Sequence, residues 1–491
     1  MANENLTPSV YERLNCHDEE RPFEEEERLL RELDCYHGFL PREDLPYLLE
    51  TEGDFLFRVS ETDEKNGPAR REIILSVVAE RPDTGEDPPQ SQVDGGEDKK
   101  VRNLIVKRFK GKYFIEAALA FGTLGLLIHH YKTNDGKLIK EKNKAKDPNA
   151  TVTMDQSVMQ PAPGTRKRNE YIFRCRNGIK LKRWEFKHSQ IEIGPLLGEG
   201  AYGEVRRGVL TRKEKKIKVA IKMTKCDGQM RKAKIREYMK EARIQRNLRH
   251  PNVVLLYGVA VEEQPLYIIL ELISGGSLLS YLLKNGDSVN SQEKVGMTLG
   301  AAKGLCYLHD KGIIHRDIAA RNCLYTSSKK VKISDFGLSR KCEHYIATPG
   351  TTKLPIKWLA PETIVNLSFS FKTDVFSFGI MSYEIFANGS EPWEMQTNKQ
   401  VKKYLFQGVF MEMPKSCPES YRKFVAEKVF VKNPHSRAPM KEVAEFLESI
   451  APMSPERTCA QENSLMRVAP EEEGKPKKKK LSSATRTQRG K

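Results

Sequence analysis

The chain has no apolar run long enough to cross a bilayer. Its longest, from Ala117 to Ile128, is about half of the ~20 residues a spanning helix needs. The opening Met-Ala-Asn-Glu-Asn-Leu has neither a hydrophobic signal core nor a glycine after the methionine, so secretion and N-myristoylation are not expected. Cysteine is sparse: nine residues, an odd number, with no C-x-x-C pair, which predicts a reduced, intracellular protein. Glycine (33) and proline (26) sit at ordinary globular values, which excludes collagen and full-length disorder. What the chain does have is length and positive charge. Its 491 residues allow two to four domains at roughly 150 residues each, and its net charge is +17.

A charge of +17 first suggests nucleic acid, but its distribution argues otherwise. Residues 1–35 hold eleven acids and four bases, 4 − 11 = −7, including Glu24-Glu25-Glu26-Glu27. From Lys132 to Lys187 there are fifteen bases and six acids, 15 − 6 = +9, and from Gly474 to the end eight bases and no acid. These stretches are poor in apolar periodicity and read as weakly ordered chain. The Lys475-Pro476-Lys477-Lys478-Lys479-Lys480 run is open to three readings: a nuclear-localisation signal, an anionic-membrane contact or a plain solvated tail. No specific nucleic-acid partner is expected. The expected division is an acidic segment over 1–35, a small module over 36–140, a basic linker over 141–187, a larger domain over 188–451 and a basic tail over 452–491.

The small module begins with a helical pattern from Pro41 and continues with strand patterns at Phe55–Val59, Ile73–Val78, Val101–Val106 and Lys112–Glu116. A solvated loop is expected over Glu80–Lys100 and a second helix near Thr123–Tyr131. That order predicts an α+β module. The larger domain starts with strands at Ile191–Leu197, Glu204–Leu210 and Lys216–Met223 and turns helical after about Gly275, which predicts two lobes and a cleft.

Its chemistry-bearing residues open with Gly198-Glu199-Gly200-Ala201-Tyr202-Gly203-Glu204-Val205. Glycines at this spacing let backbone N–H groups approach a polyphosphate, although the motif alone is a weak pointer. Strand rather than helix follows it, favouring a β-hairpin lid over a Rossmann turn. Lys222 closes the apolar strand Val219-Ala220-Ile221-Lys222; it either snorkels to solvent or reaches phosphates, and Glu241 on the next helix can pair with it. His315-Arg316-Asp317-Ile318-Ala319-Ala320-Arg321-Asn322, Asp335-Phe336-Gly337 and Ala360-Pro361-Glu362 follow in order. In content, order and spacing this set resembles the protein-kinase signature.

The resemblance implies a bilobal kinase fold and a site for ATP with Mg²⁺, Mn²⁺ being the alternative. It places ATP against Leu197, Gly198, Glu199, Gly200, Ala201, Tyr202, Gly203, Val205, Ala220 and Lys222, with hinge contacts at Glu271 and Ile273 behind a gatekeeper Leu270. It makes Asp317 the acceptor of the hydroxyl proton, Arg321 the cation beside it, Asn322 and Asp335 the metal ligands, and Glu241 the partner that orients Lys222. Ala319 and Arg321 in D-I-A-A-R-N, together with Pro355-Ile356-Lys357-Trp358, resemble tyrosine kinases rather than serine/threonine kinases. Tyr345 then becomes the expected autophosphorylation site, with Arg316 and Arg340 as candidate partners for its phosphate.

In the small module, Tyr36-His37-Gly38-Phe39-Leu40, Phe55-Leu56-Phe57-Arg58-Val59-Ser60 and Leu126-Leu127-Ile128-His129-His130-Tyr131 resemble SH2 domains. The resemblance implies phosphotyrosine binding by Arg42, Arg58 and Ser60, and hence phosphotyrosine-bearing protein partners; otherwise Arg58 is a surface-facing strand arginine. Cys35, Val59, Asn103 and Ile105 depart from the residues usual at their positions. An SH2 module before a kinase domain, with no SH3 ahead of it and no regulatory tyrosine behind, resembles a compact Fes/Fer-type non-receptor tyrosine kinase. Residues 1–35 have no room for that branch's long membrane-bending and coiled-coil region, so the expected location is cytoplasmic, with recruitment to the plasma membrane or the nucleus as options. The competing expectation is an SH2–kinase scaffold with little activity. Gln245 supports it, because the amide falls at a normally apolar position of the internal spine with His315, Phe336 and Leu256. Phe376 and Phe430, in place of customary tryptophans, are expected to be repacking.

Overall fold

The computed structural model describes residues 23–61, 71–79, 101–116, 119–139, 170–200, 203–224, 232–350 and 354–451. The loop expected over Glu80–Lys100, the basic tail, Ala201 and Tyr202 lie outside the described residues. Among the described residues no helix is long and apolar enough to cross a membrane.

The amino-terminal module is built on β1 (Asp54–Glu61), β2 (Arg71–Val78), β3 (Val101–Phe109) and β4 (Lys112–Phe114), an antiparallel sheet in register Arg58↔Ile74 and Ser76↔Asn103. Helix α1 spans Phe23–Leu30, and α2, Leu124–Thr133, is capped by Thr123, whose hydroxyl accepts from Leu126 N–H. Alternation along β1 sends Phe55, Phe57 and Val59 into the core and Arg58 to the opposite face. The helix expected from Pro41 is a 3₁₀ turn over Arg42–Tyr47, because Pro46 lacks the N–H that would donate back to Arg42.

Two stretches expected as weakly ordered chain are ordered where they are described. In the acidic segment, α1 buries Leu30 together with Glu26 and Glu27, whose charges are met by partners on the sheet. Arg108 and the Tyr113 hydroxyl reach Glu26, both at 2.5 Å, and Arg71 reaches Glu27 at 2.8 Å. In the basic linker, β6 (Glu170–Phe173) pairs with β5 (Gly136–Ile139) at the end of the module, and β7 (Asn177–Gly178) lies parallel to the start of β1. Phe173 and Cys175 are fully buried, and the Phe173 ring lies 5.0 Å from Tyr131. Composition hid both stretches because a few apolar anchors outweigh many solvated charges once a complementary surface exists.

The larger domain begins with β8 (Ile191–Gly200), β9 (Gly203–Arg212), β10 (Lys215–Thr224), helix α3 (Lys232–Gln245), β11 (Leu256–Ala260) and β12 (Tyr267–Glu271), in sheet order β11-β12-β10-β9-β8. A helical lobe follows: α4 (Leu278–Asn285), α5 (Ser291–Asp310), α6 (Pro361–Asn366), α7 (Phe371–Phe386), α8 (Asn398–Gln407), α9 (Glu419–Phe424) and α10 (Met440–Ile450). Here Phe376, Phe410 and Phe430 form a three-ring cluster, with centroids 5.4 to 6.2 Å apart.

The module and the β-rich lobe share one apolar core. Ile235, Tyr238, Met239 and Ala242 of α3 recur at helical spacing and pack with Leu40, Leu45 and Leu48 of the module in that cluster. Asp44 receives Arg243 at 2.7 and 2.9 Å, and Glu43 receives Arg236 at 3.0 Å. Gly38, at φ +56°, lets the module touch the loop after β11, since a Cβ there would fall 2.0 Å from the Val261 carbonyl oxygen.

Candidate active site and phosphate pocket

The β8–β9 hairpin places Gly198 opposite Val205 and Gly200 opposite Gly203, so the glycines form a strand-borne lid. Beneath it Ala220 is buried, and Leu197, half exposed, lies at the rim. Lys222, on β10, donates to both Glu241 oxygens at 2.8 and 2.9 Å and approaches Asp335 at 3.4 Å. Burial alone would push the ammonium's pKa down, but the carboxylates of Glu241 and Asp335 outweigh it and hold it above its ordinary value. For Asp335, burial would raise the carboxyl; Lys222 and the Gly337 N–H hold it below the usual range.

Asp317 accepts from Arg321 at 2.5 Å, and the Asn322 amide donates to the Asp317 carbonyl at 2.8 Å. Arg321 also lies over the Trp358 ring, 4.5 Å from its centroid, and the Trp358 indole N–H donates to Glu384 at 3.0 Å. A chain of contacts therefore runs from Asp317 through Arg321 to Trp358 and Glu384. Glu384 and Asp374 carried no expectation in the sequence, yet both are buried organisers. Asp374 accepts from the backbone N–H groups of His315 and Arg316 at 2.7 and 2.9 Å, and Glu384 from that of Ala320 at 2.9 Å. Acids in the apolar stretch Phe371–Phe386 were the available signal, since a buried carboxylate needs donors. Arg437, fully buried, grips the Glu362 carboxylate at 2.8 and 3.2 Å.

At the hinge, the Glu271 side chain turns to Lys332 at 3.0 Å and Ile273 is half-buried. Asn322 and Asp335 present hard oxygen donors, and Asp335 is 44% exposed. Among the described residues no group of three or more His, Cys, Asp or Glu could hold a metal. This donor set fits a hard divalent ion completed by water and phosphate oxygens. Tyr345 lies between two guanidinium groups, Arg316 at 4.5 Å and Arg340 at 5.2 Å from the ring centroid. Gln245 is buried as anticipated, but it is not unsatisfied: its amide donates to the Val254 carbonyl at 2.8 Å.

A family model described as protein tyrosine and serine/threonine kinase matches residues 191–447, more than half of the chain. This chain belongs to that kinase family. Tyrosine-protein kinase Fer of Homo sapiens is 34% identical over 425 residues, 86% of this chain and 44% of the relative. Tyrosine-protein kinase transforming protein Fps of avian sarcoma virus (strain PRCII) is 33% identical over 386 residues, 78% of this chain and 61% of its own length. Fer-related kinase 1 of Caenorhabditis elegans is 33% identical over 427 residues, 86% of this chain and 95% of the relative. The kinase thus spans less than half the length of human Fer, and these similarities support a Fes/Fer-type tyrosine kinase.

A second cluster of residues singled out in the sequence lies on the amino-terminal module. Arg58, only 6% exposed, donates from Nε to the Ser76 hydroxyl at 3.1 Å and from Nη2 to Asn103 Oδ1 at 3.0 Å. Ser76 in turn donates to Asn103 Oδ1 at 2.8 Å, closing a triangle around the guanidinium. Burial pulls the Arg58 pKa down to about 10, so it stays charged at neutral pH. Ser60 shares the Arg58 side of β1 and is half-buried, whereas Arg42 is largely exposed, its Nε 3.8 Å from Glu43. Ile105 is exposed. Neither Ser76 nor the Asn103 contact was anticipated from the sequence.

Proposed function

We propose that this kinase transfers the γ-phosphate of ATP to tyrosine hydroxyls of protein substrates. The Asp317–Arg321–Trp358 relay carries the reading. Asp317 accepts the phenolic proton as the oxygen attacks. Arg321 supplies a cation beside the transferred group while its other face rests on the Trp358 floor, which suits a flat phenol. Lys222, held by Glu241, orients the α- and β-phosphates, and the glycine hairpin covers them. A divalent ion held by Asn322 and Asp335 would neutralise charge on the phosphates.

The intact Lys222–Glu241 pair and the satisfied Gln245 amide speak for a working enzyme rather than an inert scaffold. Phosphotyrosine formed on a Glu/Tyr polymer tests it. Asp317→Asn is expected to cut the rate by about 10²-fold or more, and equal signal from both proteins would overturn the reading. The Arg58 triangle supports a second proposal, that residues 36–140 bind phosphotyrosine and recruit the kinase, in the cytoplasm, to phosphorylated partners. The basic tail is proposed as the element that adds membrane or nuclear targeting; deleting residues 474–491 with an unchanged distribution would remove that idea.

A further inference from the structure

Gln245 sits one turn after Glu241 on α3, at the end that meets the helical lobe, and is 2% exposed. Its amide N–H grips the Val254 carbonyl. That carbonyl belongs to a segment zipped onto the strand over Val331–Ile333. Val254 N–H donates to Ile333 O at 2.9 Å, Ile333 N–H to Asn252 O at 2.9 Å, and the Asn252 amide to Val331 O at 2.8 Å. Two residues past Ile333 lies Asp335, and the Ser334 carbonyl between them receives His315 Nε2 at 3.1 Å. Glu241 and Asp335 are therefore tied together twice, directly through Lys222 and indirectly through Gln245, Val254 and Ile333.

An apolar residue at 245 would supply packing without direction, whereas an amide bonds only when α3 is at one height and rotation. We infer that Gln245 is a positioning residue that fixes α3 with Glu241 facing Lys222, and so favours the active arrangement instead of weakening it. Both partners of the hydrogen bond are buried, Gln245 at 2% and Val254 at 1% exposure, where water cannot replace the lost partner. The role runs through Lys222 and needs no contact between Gln245 and substrate.

Two variants of the full chain test it on the Glu/Tyr polymer. Gln245→Met keeps volume and removes the donor, and is expected to lower kcat/KM for ATP about five- to tenfold. Gln245→Glu keeps shape but turns an acceptor toward an acceptor when ionised; protonated, its O–H donates to Val254 O. Burial raises such a carboxyl, so its activity relative to wild type should climb several-fold between about pH 8 and about pH 6. The titratable and charged groups on the elements meeting here are Glu241, Arg243 and Arg246 at the end of α3, His250 before Val254, Lys332 on the 331–333 strand, Lys222 on β10, and His315 and Asp335 across the cleft; all are present in both proteins, so the ratio isolates the change at 245. The pH ratio compares Gln245→Glu with wild type alone, so it survives even if Gln245→Met folds poorly. A Gln245→Met enzyme as active as wild type, or a Gln245→Glu ratio flat with pH, overturns the inference.

Discussion

Asp44, at 1% exposure, receives both Nε and Nη2 of Arg243, at 2.9 and 2.7 Å, joining the 3₁₀ turn of the amino-terminal module to α3 of the catalytic domain. A second guanidinium, Arg246, lies 3.9 Å from the same carboxylate and stacks on Tyr47 and Trp184 at 4.8 and 4.4 Å. Removing one partner of so buried a pair leaves the other charge without compensation. Asp44→Ala should therefore destabilise the chain by about 3 kcal/mol, more than a surface pair would. A double-mutant cycle with Arg243→Ala, followed by urea unfolding, checks this, and additive losses would show that the two residues do not interact.

A second junction contact should respond to pH. His37 is fully buried, with Nδ1 2.7 Å from Glu185 and Nε2 2.9 Å from the Ile179 carbonyl, so both ring nitrogens face acceptors and the imidazolium is the form that satisfies them. Burial lowers its pKa, but Glu185 and the carbonyl outweigh it and raise it above 6.5. The folded value is the higher one, so this stabilisation is complete below about pH 6.5 and is lost as pH rises through the folded value. Thermal melts from pH 6 to pH 9 should show wild type losing stability relative to His37→Gln, and parallel curves would sink the idea.

Phosphotyrosine recognition should depend on the Arg58 triangle in two distinguishable ways. Arg58→Lys keeps the charge but loses the fork, and should weaken binding of a phosphotyrosine peptide about tenfold or more. Asn103→Asp places a carboxylate on the guanidinium and repels phosphate, so it should weaken phosphopeptide binding further. Isothermal titration against one peptide ranks them; wild-type affinity in either variant would argue that the module is structural.

Tyr345 should act as a switch because its ring lies in a basic neighbourhood. The Arg316 and Arg340 guanidinium groups lie 4.5 and 5.2 Å from the Tyr345 ring centroid, so two like charges repel one another there. A phosphate on Tyr345 would relieve that repulsion. Tyr345→Phe keeps the ring contacts and should abolish the rise in rate that follows preincubation with ATP. The same rise in Tyr345→Phe and wild type would place the activating site elsewhere.

The two-lobed architecture, and the residues that folding gathers at the candidate site, were legible along the chain because each motif is local. Glycines, a strand-ending lysine and short acid-bearing loops are written at fixed offsets, and strand alternation at β1 and β8–β10 follows from a period of two. The weakly ordered reading of residues 23–35 and 170–187 failed because charge count is blind to partners. Glu26 and Glu27 are stabilised by Arg108, Tyr113 and Arg71, which lie 44 or more positions away. The same blindness hid Asp374, Glu384 and Ser76, whose donors and acceptors come from other elements.

By itself the order of residues determined which groups this chain carries: the cations, carboxylates and amides that mark it as a member of the kinase family. Only tertiary structure decided how these groups are held. Read alone, Gln245 is a polar intruder in an apolar spine; its meaning reverses once the Val254 carbonyl is found 2.8 Å away. A side chain's composition sets what bonds it can make, while the cost of burying it depends on whether folding brings a partner within hydrogen-bond distance.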